Sequence, residues 1–376
     1  MQEPGELYFN IYSSLTQGIF IFGLLKLISM AKKAPNSFDP DRPATADTLF
    51  GLPYTVENAK VVALPVPWDV TVSYQSGAAK GPEAILNASV QVDLFDEKIP
   101  NAWKTGIAME EMPTKWIAKS KKLRPKAEAY IDLFTAGKAD NKKTQEVLAE
   151  INEECKELMK WVKEKSLAHL KKNKIVALIG GDHSTPLGLM HAVSEHCSSF
   201  GILHIDAHCD LRNAYEGFTY SHASIMFNAL KIKNLERLVQ VGIRDFSEGE
   251  NDIVQNSKGR IKFFSDKAMK DKMFHGASWY EIAQSIISTL PKQVYISFDI
   301  DGLDPKLCPN TGTPVPGGLQ FWEAIHLIEM VVESGRQIVA FDINEVAPGK
   351  DEWDANVGAR LLYKMSNLAA LSNSVK

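Results

Sequence analysis

The chain has 376 residues, enough for one large α/β domain or two average ones, and either size can bury a full core. Hydrophobic residues make up 45% of it and charged residues 23%, which excludes a disordered or fibrous protein. The formal net charge of -4 provides no basic field for nucleic acid or an anionic membrane, so small neutral or cationic ligands fit better.

The N-terminal thirty residues differ from the rest. An apolar run over 18–25 follows acidic instead of basic residues and is interrupted by Lys26, so we expect neither a signal peptide nor a membrane span. We predict an N-terminal extension of uncertain order over 1–30, with the folded domain in 31–376. The four scattered cysteines lack any paired spacing, which favours reduced thiols in a cytoplasmic protein without disulfides.

Apolar, β-branched runs alternate with segments of helical periodicity along the remaining chain. The runs predict buried strands at Lys60–Val66, Lys174–Ile179, Phe200–Ile205, Leu238–Ile243, Gln293–Phe298 and Gln337–Phe341. The periodic segments predict helices at Pro82–Ala88, Ser184–His196, Trp279–Leu290, Phe321–Ser334 and Asn356–Leu371. This alternation indicates an α/β fold with a mainly parallel central sheet, and right-handed crossovers place helices on both of its faces.

The stretch from Trp103 to Asn173 interrupts this alternation and is richer in Lys and Glu. Within it, 144–171 has the pattern of a long amphipathic helix with apolar positions such as Ile151 and Leu158. We predict a solvated helical insertion around 103–173. A role in oligomer contacts or in shaping a pocket entrance is the alternative.

Three strand ends carry metal-binding side chain types. The string Asp206-Ala-His208-Cys-Asp210 follows one strand, and alternate positions of an extended chain share a face. Asp299-Ile-Asp301 follows a second strand in the same way. A third strand leads to Gly-Gly-Asp-His183, where the glycines permit a tight turn over the sheet edge.

Ligands of open α/β sheets bind at the carboxyl ends of the strands, so these groups are expected to meet. Four or five carboxylates cannot lie together without cations, because charge repulsion and desolvation would cost on the order of several kcal/mol. Four aspartates formally balance two divalent ions, and carboxylates can bridge such ions. Mixed oxygen and imidazole ligands favour Mn²⁺, with Ni²⁺, Co²⁺ or Fe²⁺ as alternatives.

These three strings together resemble the hallmark motifs of the ureohydrolase superfamily, which contains arginases and agmatinases. The similarity runs from about 55 to 370 and weakens across 103–173. It implies a three-layer αβα sandwich, a single catalytic domain over 31–376 and a homotrimer or homohexamer. By resemblance one ion is held by His183, Asp206, Asp210 and Asp299, and the other by Asp206, His208, Asp299 and Asp301, so that Asp206 and Asp299 bridge.

The resemblance also implies a reaction, in which water activated by two ions attacks a guanidinium carbon, the amine leaves, and urea or its equivalent is released. His222 matches the proton-shuttle histidine, with a helix-capping role as the alternative, and Asp210 is a second candidate for proton transfer. Glu345 matches the glutamate that holds the guanidinium, since a carboxylate can accept two parallel hydrogen bonds from it. Thr313 matches a position near the substrate, with a turn role as the alternative.

Other polar residues around these strings are expected to have structural roles. Asp182 and Asp304 are interpreted as turn residues or as groups that orient the ligands. Cys209 is interpreted as a core residue, and His204 as a buried histidine with satisfied hydrogen bonds instead of a third nitrogen ligand.

The substrate tail is the least defined part of the prediction. The positions that arginases use for the amino-acid head group are Arg212 and Ser247 here, which argues against arginine. Arg212 is the candidate tail contact, but it would repel the cationic end of agmatine unless Glu216 or the rest of 213–219 shields its charge. We therefore expect agmatine or free guanidine, ahead of guanidinobutyrate or arginine.

Two other classes of protein share parts of this pattern. The expected αβα architecture also resembles that of metal-dependent deacetylases. Those enzymes use one zinc ion and a tyrosine, whereas this sequence has six candidate metal ligands, which argues against that class. A noncatalytic binding subunit is the second alternative, and the intact His222 and Glu345 argue against it.

Overall fold

A computed structural model describes residues 38–44 and 47–374, so the predicted extension over 1–30 lies outside the described residues. Within these described ranges, eight strands form one sheet in the order β2-β1-β3-β8-β7-β4-β5-β6, and every neighbouring pair is parallel. They are β1 (Val61–Val66), β2 (Ile107–Met109), β3 (Ile175–Gly180), β4 (Phe200–Ile205), β5 (Leu235–Ile243), β6 (Ile261–Ser265), β7 (Gln293–Asp299) and β8 (Gln337–Asn344).

Helices cover both faces of this sheet. In chain order they are α1 (Gly81–Ser89), α2 (Thr114–Thr135), α3 (Lys142–Leu170), α4 (Leu187–His196), α5 (Ile225–Ala229), α6 (Glu248–Asn256), α7 (Asp266–Phe274), α8 (Trp279–Ile287), α9 (Phe321–Glu333) and α10 (Trp353–Ser372). Helices α1 and α7 to α10 contribute to one hydrophobic core, and α2 to α6 contribute to the other. The predicted three-layer αβα sandwich is confirmed, with a central sheet that is wholly parallel.

The two cores follow from the alternation of side chains along the strands. In β3, Ile175, Ala177 and Ile179 point into one core, while Val176 and Leu178 point into the other. Because both faces are covered, the strand is apolar at every position, as its sequence indicated.

Sequence patterning located the central strands and missed the edges. All six predicted strands are present within a few residues of their predicted bounds, as are the predicted helices. The two strands at the sheet edges, β2 and β6, were not predicted. Edge strands need no continuous apolar run, since β2 has three residues and β6 is only partly buried.

The stretch 103–173 contains β2 and the long helices α2 and α3. It is more than a solvated insertion, because Trp116 and Tyr130 of α2 and Leu158 of α3 are buried in the core on one face of the sheet. Asn152 of α3 also contacts the loop after β4: its Oδ1 accepts from Thr219 N at 2.8 Å. The proposed boundaries of the domain stay a prediction.

Other expectations from composition can be compared with the described residues directly. All four cysteines are buried and unpaired. Among the helices of the described ranges, none combines the length and the apolar character needed to cross a bilayer.

The strand order places the predicted site in the middle of the sheet. Strands β3, β8, β7 and β4 are consecutive neighbours, and each leads at its carboxyl end to candidate site residues. Parallel strands bring those ends to one edge of the sheet, so residues far apart in sequence become neighbours.

Candidate metal centre

His183 stands at the centre of a cluster of buried carboxylates. Its Nδ1 lies 3.0 Å from Asp206 Oδ2, 3.2 Å from Asp210 Oδ2 and 3.2 Å from Asp299 Oδ2. All four side chains are at most 6% exposed. The structure therefore brings together the four residues expected to hold one ion.

A second group lies on the other side of Asp206. His208 Nδ1 is 3.1 Å from Asp301 Oδ2 and 3.5 Å from Asp206 Oδ1. Asp206 thus contributes one carboxylate oxygen to each group, as a bridging ligand would. Asp299 connects to this group through its Oδ1, which accepts from Asp301 N at 2.9 Å.

The turns after β4 and β7 hold one another in place. Asp206 Oδ1 accepts from His208 N at 2.6 Å, two residues later, as Asp side chains often do in turns. Asp301 Oδ1 accepts from Ala207 N at 3.0 Å and so joins the two strand ends. The ligand candidates are consequently fixed by backbone as well as by one another.

Two candidate site residues have left-handed backbone without being glycine. Asp210 has φ 55° and Glu345 has φ 61°. Such conformations cost about 1 to 3 kcal/mol and concentrate at functional sites. Surrounding contacts maintain them: Asp210 O accepts from Met226 N at 3.0 Å, and Glu345 N donates to Gly181 O at 2.9 Å.

Crowding of charge shifts the pKa values of these groups. Burial, followed by repulsion from Asp206, raises the pKa of Asp210 to about 6. Burial and repulsion from Asp301 and Asp206 raise the pKa of Asp299 well above its ordinary value. Burial alone would lower the pKa of His208, but Asp301 and Asp206 outweigh it and raise that pKa to about 12.

So many buried carboxylates require compensating positive charge, and the donor set of the cluster fits divalent cations. Four aspartates balance two such ions formally, and the mixture of carboxylate oxygen with imidazole nitrogen suits Mn²⁺ or Ni²⁺. Ligand atoms of His183, His204, Asp206 and Asp210 lie within 4.8 Å of one another, as do those of Asp206, His208 and Asp301. His204 is the member that the predicted ligand sets did not include.

A buried chain of hydrogen bonds orients His183. Its Nε2 lies 2.9 Å from Ser297 Oγ, and Ser297 Oγ donates to Asp342 Oδ1 at 3.1 Å. Asp342 also accepts from the Tyr295 hydroxyl and from Phe298 N. Because the serine proton points to the carboxylate, Ser297 accepts from His183 Nε2–H, and the lone pair of His183 Nδ1 faces the cluster.

Glu345 follows β8 and lies against the same cluster. Its Oε1 accepts from His183 N at 2.9 Å, and its side chain is buried. A Cβ on Gly312 would lie 3.7 Å from Oε2, so glycine leaves room beside that oxygen. Burial, followed by repulsion from Asp182, raises the pKa of Glu345 well above its ordinary value.

His222 begins a short 3₁₀ turn beyond the loop that follows β4. Its Nδ1 lies 3.2 Å from Ser221 Oγ, and its ring centroid lies 6.3 Å from that of Tyr215. Burial, followed by repulsion from His208 and His183, lowers the pKa of His222 to about 4. The imidazole is therefore neutral at pH 7, below the near-neutral titration that its residue type alone indicated.

The remaining candidates occupy less central positions. Arg212 is 42% exposed at its side chain, and its guanidinium stacks over Tyr215 at 4.9 Å. Thr313 is half-buried, and its substrate contact stays a prediction. Sequence reasoning missed Thr311, whose Oγ1 donates to Glu345 O at 2.9 Å. No local pattern distinguishes Thr311 from Thr313, because the contact spans 34 residues.

Three residues that were expected to have structural roles, Asp182, Asp304 and Cys209, lie in turns or in the core. Asp182 Oδ1 accepts from Ser184 N at 2.9 Å, and Asp304 Oδ1 accepts from Lys306 N at 3.1 Å, so both are turn residues. Cys209 is fully buried in the core.

Comparisons with known proteins agree with this geometry. A model of the arginase family matches residues 59–367. The N(1)-aminopropylagmatine ureohydrolase of Thermus thermophilus is 33% identical over 316 residues, which cover 84% of this chain and 92% of that protein. The agmatinase of Neisseria meningitidis is 28% identical over 84% of this chain and 88% of its own length.

A solved structure shares the fold. The agmatine ureohydrolase of Thermoplasma volcanium superimposes with a TM-score of 0.64 at 23% identity, covering 89% of this chain and 96% of that one. At 23% identity, this similarity shows the fold alone.

Proposed function

We propose, since the chain belongs to the arginase family, that it hydrolyses a guanidino compound with a cationic tail and releases urea and an amine. The chain is a ureohydrolase of the agmatinase-like branch, a hydrolase that acts on C–N bonds of amidines. The observation that carries the proposal is the shared cluster around Asp206, which joins two groups of ligand atoms beside the buried Glu345 carboxylate.

The candidate ligands form two sets, one for each of two divalent ions. His183, Asp206, Asp210 and Asp299 would hold one divalent ion, and Asp206, His208, Asp299 and Asp301 would hold the other. A pair of divalent ions in such a site supplies water activated as a nucleophile at neutral pH. Mn²⁺ is our first choice and Ni²⁺ the alternative.

Glu345 would bind the guanidinium. Its Oε1 keeps one lone pair after accepting from His183 N, and its Oε2 lies beside Gly312, so both oxygens can accept from two N–H groups of the substrate. The contact fixes the planar carbon against the carboxylate cluster. It also gives the buried carboxylate the positive partner that its burial requires.

His222 would move the proton to the leaving amine. Ser221 Oγ lies next to Nδ1 of that ring, which leaves Nε2 to exchange a proton with the substrate. Asp210 lies at the other end of the same loop and is the second candidate for this transfer. Both roles are part of the proposal.

The loop between Asp210 and His222 bears on the substrate tail. Arg212 was expected to repel a cationic tail, but its NH2 lies 3.8 Å from Glu250 Oε2 and its guanidinium stacks on Tyr215. Glu250 thus offsets the charge of Arg212. A direct contact between Arg212 and the tail stays a prediction.

Glu216 offers the complementary charge for a cationic tail. Its Oε2 is buried and has no hydrogen-bond partner among the residues described. Its backbone is left-handed, with φ 52°, and the loop around it is anchored by Asn152 Nδ2, which donates to Gly217 O at 3.3 Å. We propose that an ammonium of the tail pairs with this carboxylate. Agmatine and its N(1)-aminopropyl derivative both carry such a group.

A panel of substrates tests the proposal. Protein loaded separately with Mn²⁺ and Ni²⁺ is offered N(1)-aminopropylagmatine, agmatine, free guanidine, guanidinobutyrate and arginine, and urea release is measured. We expect turnover of the two cationic-tailed compounds. Release of urea or ammonia from free guanidine alone would contradict the tail assignment, and silence on all five would contradict the function.

A variant of the loop separates tail binding from chemistry. Glu216→Gln removes the charge and keeps the shape, so we expect a KM for agmatine about 10-fold higher with little change in kcat, since a half-buried ion pair is worth roughly 1 to 2 kcal/mol. Glu248→Gln, on the exposed face of α6, is the matched control. An unchanged KM in Glu216→Gln would contradict the role of Glu216.

A homotrimer or homohexamer in the cytoplasm is part of the same proposal. Light scattering on the purified chain distinguishes these assemblies from a monomer.

A further inference from the structure

We propose that His204 is a positioning residue of the metal centre, which donates an N–H to Asp206 and binds no ion, and that Gln240 sets its tautomer. His204 lies close enough to His183, Asp206 and Asp210 to be taken for a ligand. The inference rests on the dinuclear centre of the proposed function. It assigns the roles of individual nitrogen atoms within that centre.

The amide of Gln240 has only one allowed orientation. Its side-chain nitrogen lies 2.8 Å from Cys209 O, a backbone carbonyl that can only accept. Exchanging the amide oxygen and nitrogen would place two acceptors against each other. Gln240 is fully buried, so water cannot relieve such a contact. Nε2 is therefore the atom that faces the carbonyl, although Oε1 then has no partner among the described residues.

The same nitrogen determines the protonation of His204. Gln240 Nε2 lies 3.1 Å from His204 Nδ1, and an amide nitrogen can only donate. His204 Nδ1 is consequently an acceptor without a proton. A neutral imidazole then carries its proton on Nε2. That nitrogen lies 2.7 Å from Asp206 Oδ2 and donates to it.

His183 shows the opposite arrangement at the same carboxylate. Its Nε2–H donates to Ser297 Oγ, so the lone pair of its Nδ1 faces the cluster. Both rings carry the proton on Nε2, but His183 presents Nδ1 to Asp206 and His204 presents Nε2. Only a lone pair can bind a metal ion, so His183 is a ligand and His204 is a donor.

The donor from His204 fixes the carboxylate that the two groups share. Asp206 Oδ1 is held by His208 N and Oδ2 by His204 Nε2, so neither oxygen is free to rotate. Outer contacts of this kind typically change metal affinity about 10- to 100-fold when they are removed. Because Asp206 belongs to both groups, losing the contact weakens both ions together.

Metal counting on three variants tests the assignment. His204→Gln keeps a side-chain amide that can donate, His204→Leu removes the donor, and Gln240→Met frees the tautomer of His204. His326→Gln replaces a histidine that is 37% exposed on α9 and serves as the control. Ions per chain are counted by elemental analysis at saturating Mn²⁺, and affinity is measured by calorimetry.

A positioning role predicts two ions per chain in every variant at saturation. We expect affinity close to wild type in His204→Gln, about 10- to 100-fold weaker in His204→Leu, and an intermediate loss in Gln240→Met. Loss of one ion per chain in both His204 variants would overturn the proposal. If His204→Leu fails to fold, nitrogen NMR of the wild-type protein still decides, because a ring nitrogen that binds an ion cannot keep its proton.

Nitrogen NMR gives a readout independent of turnover. Histidine labelled with ¹⁵N shows which ring nitrogen carries a proton, and the resonances absent from His204→Gln belong to His204. We expect a protonated Nε2 in the metal-free protein and after loading with diamagnetic Zn²⁺. Loss of that proton on loading would overturn the proposal. Two bound ions without urea release would instead refute the proposed function and leave the role of His204 intact.

Discussion

Replacing Glu345 with glutamine would change the hydrogen-bonding character of the pocket without changing its shape. Oε1 accepts from His183 N at 2.9 Å, and only the amide oxygen of glutamine could take that place. The amide NH2 would then occupy the position of Oε2, beside Gly312. Its protons would face the N–H groups of a bound guanidinium, so an attractive pair of contacts becomes a repulsive one.

The size of the effect follows from the loss of a buried charge pair. Removing one partner of such a pair costs about 2 to 5 kcal/mol, and the misplaced donor puts Glu345→Gln in the upper part of that range. About 3 to 5 kcal/mol corresponds to a decrease in kcat/KM of roughly 150- to 5000-fold. His183 keeps its backbone contact, so two ions per chain should remain bound.

Initial rates of urea release from agmatine, with metal content measured on the same samples, check this result. Glu248→Gln makes the same chemical change on an exposed surface and should retain wild-type kcat/KM. A kcat/KM for Glu345→Gln within about threefold of wild type, with both ions bound, would refute the guanidinium role.

Three further outcomes follow from the structure. Asp299→Ala should lose both ions and activity, whereas retained hydrolysis in a folded protein would refute its bridging role. His222→Asn should keep two ions in elemental analysis, but its kcat should fall about 100-fold or more, because a proton-transfer group typically contributes that much. An undiminished kcat would exclude the proton-transfer role of His222. Glu110→Gln should lower the free energy of unfolding at pH 7 by about 1 to 2 kcal/mol, because His169 and other contacts lower the Glu110 pKa to about 2. That contribution is present above about pH 4.5 and fades as pH falls toward 2, so denaturant unfolding that gives the same difference at pH 7 and pH 3 would contradict it.

Most of the architecture could be predicted because the central strands are covered on both faces. Such strands are apolar throughout, and β3 or β4 can be recognised from a short window of sequence. The edge strand β6 has a buried first residue and partly exposed successors, so no local pattern distinguishes it from a loop. Helix α2 contains Pro125, which argues locally against a helix, although packing of Trp116 and Tyr130 stabilises it.

The site residues were predictable where motif and strand end coincide, and less so where long-range contacts define the role. Asp206 follows β4 directly and His183 lies in the turn that follows β3, whereas the contact between Glu345 and His183 spans 162 residues. The tautomer of His204 depends on Gln240, 36 residues away on β5. The left-handed backbone of Asp210 and Glu345 was not foreseen, since neither residue is a glycine.

A titration of metal-free protein with Mn²⁺ tests the dinuclear centre most directly. Bound ions per chain and the rate of agmatine hydrolysis are measured on the same samples at each point. We expect activity to follow the second bound ion and to reach its maximum at two ions per chain. Full activity with one ion bound, or activity that survives complete removal of metal by a chelator, would contradict the account.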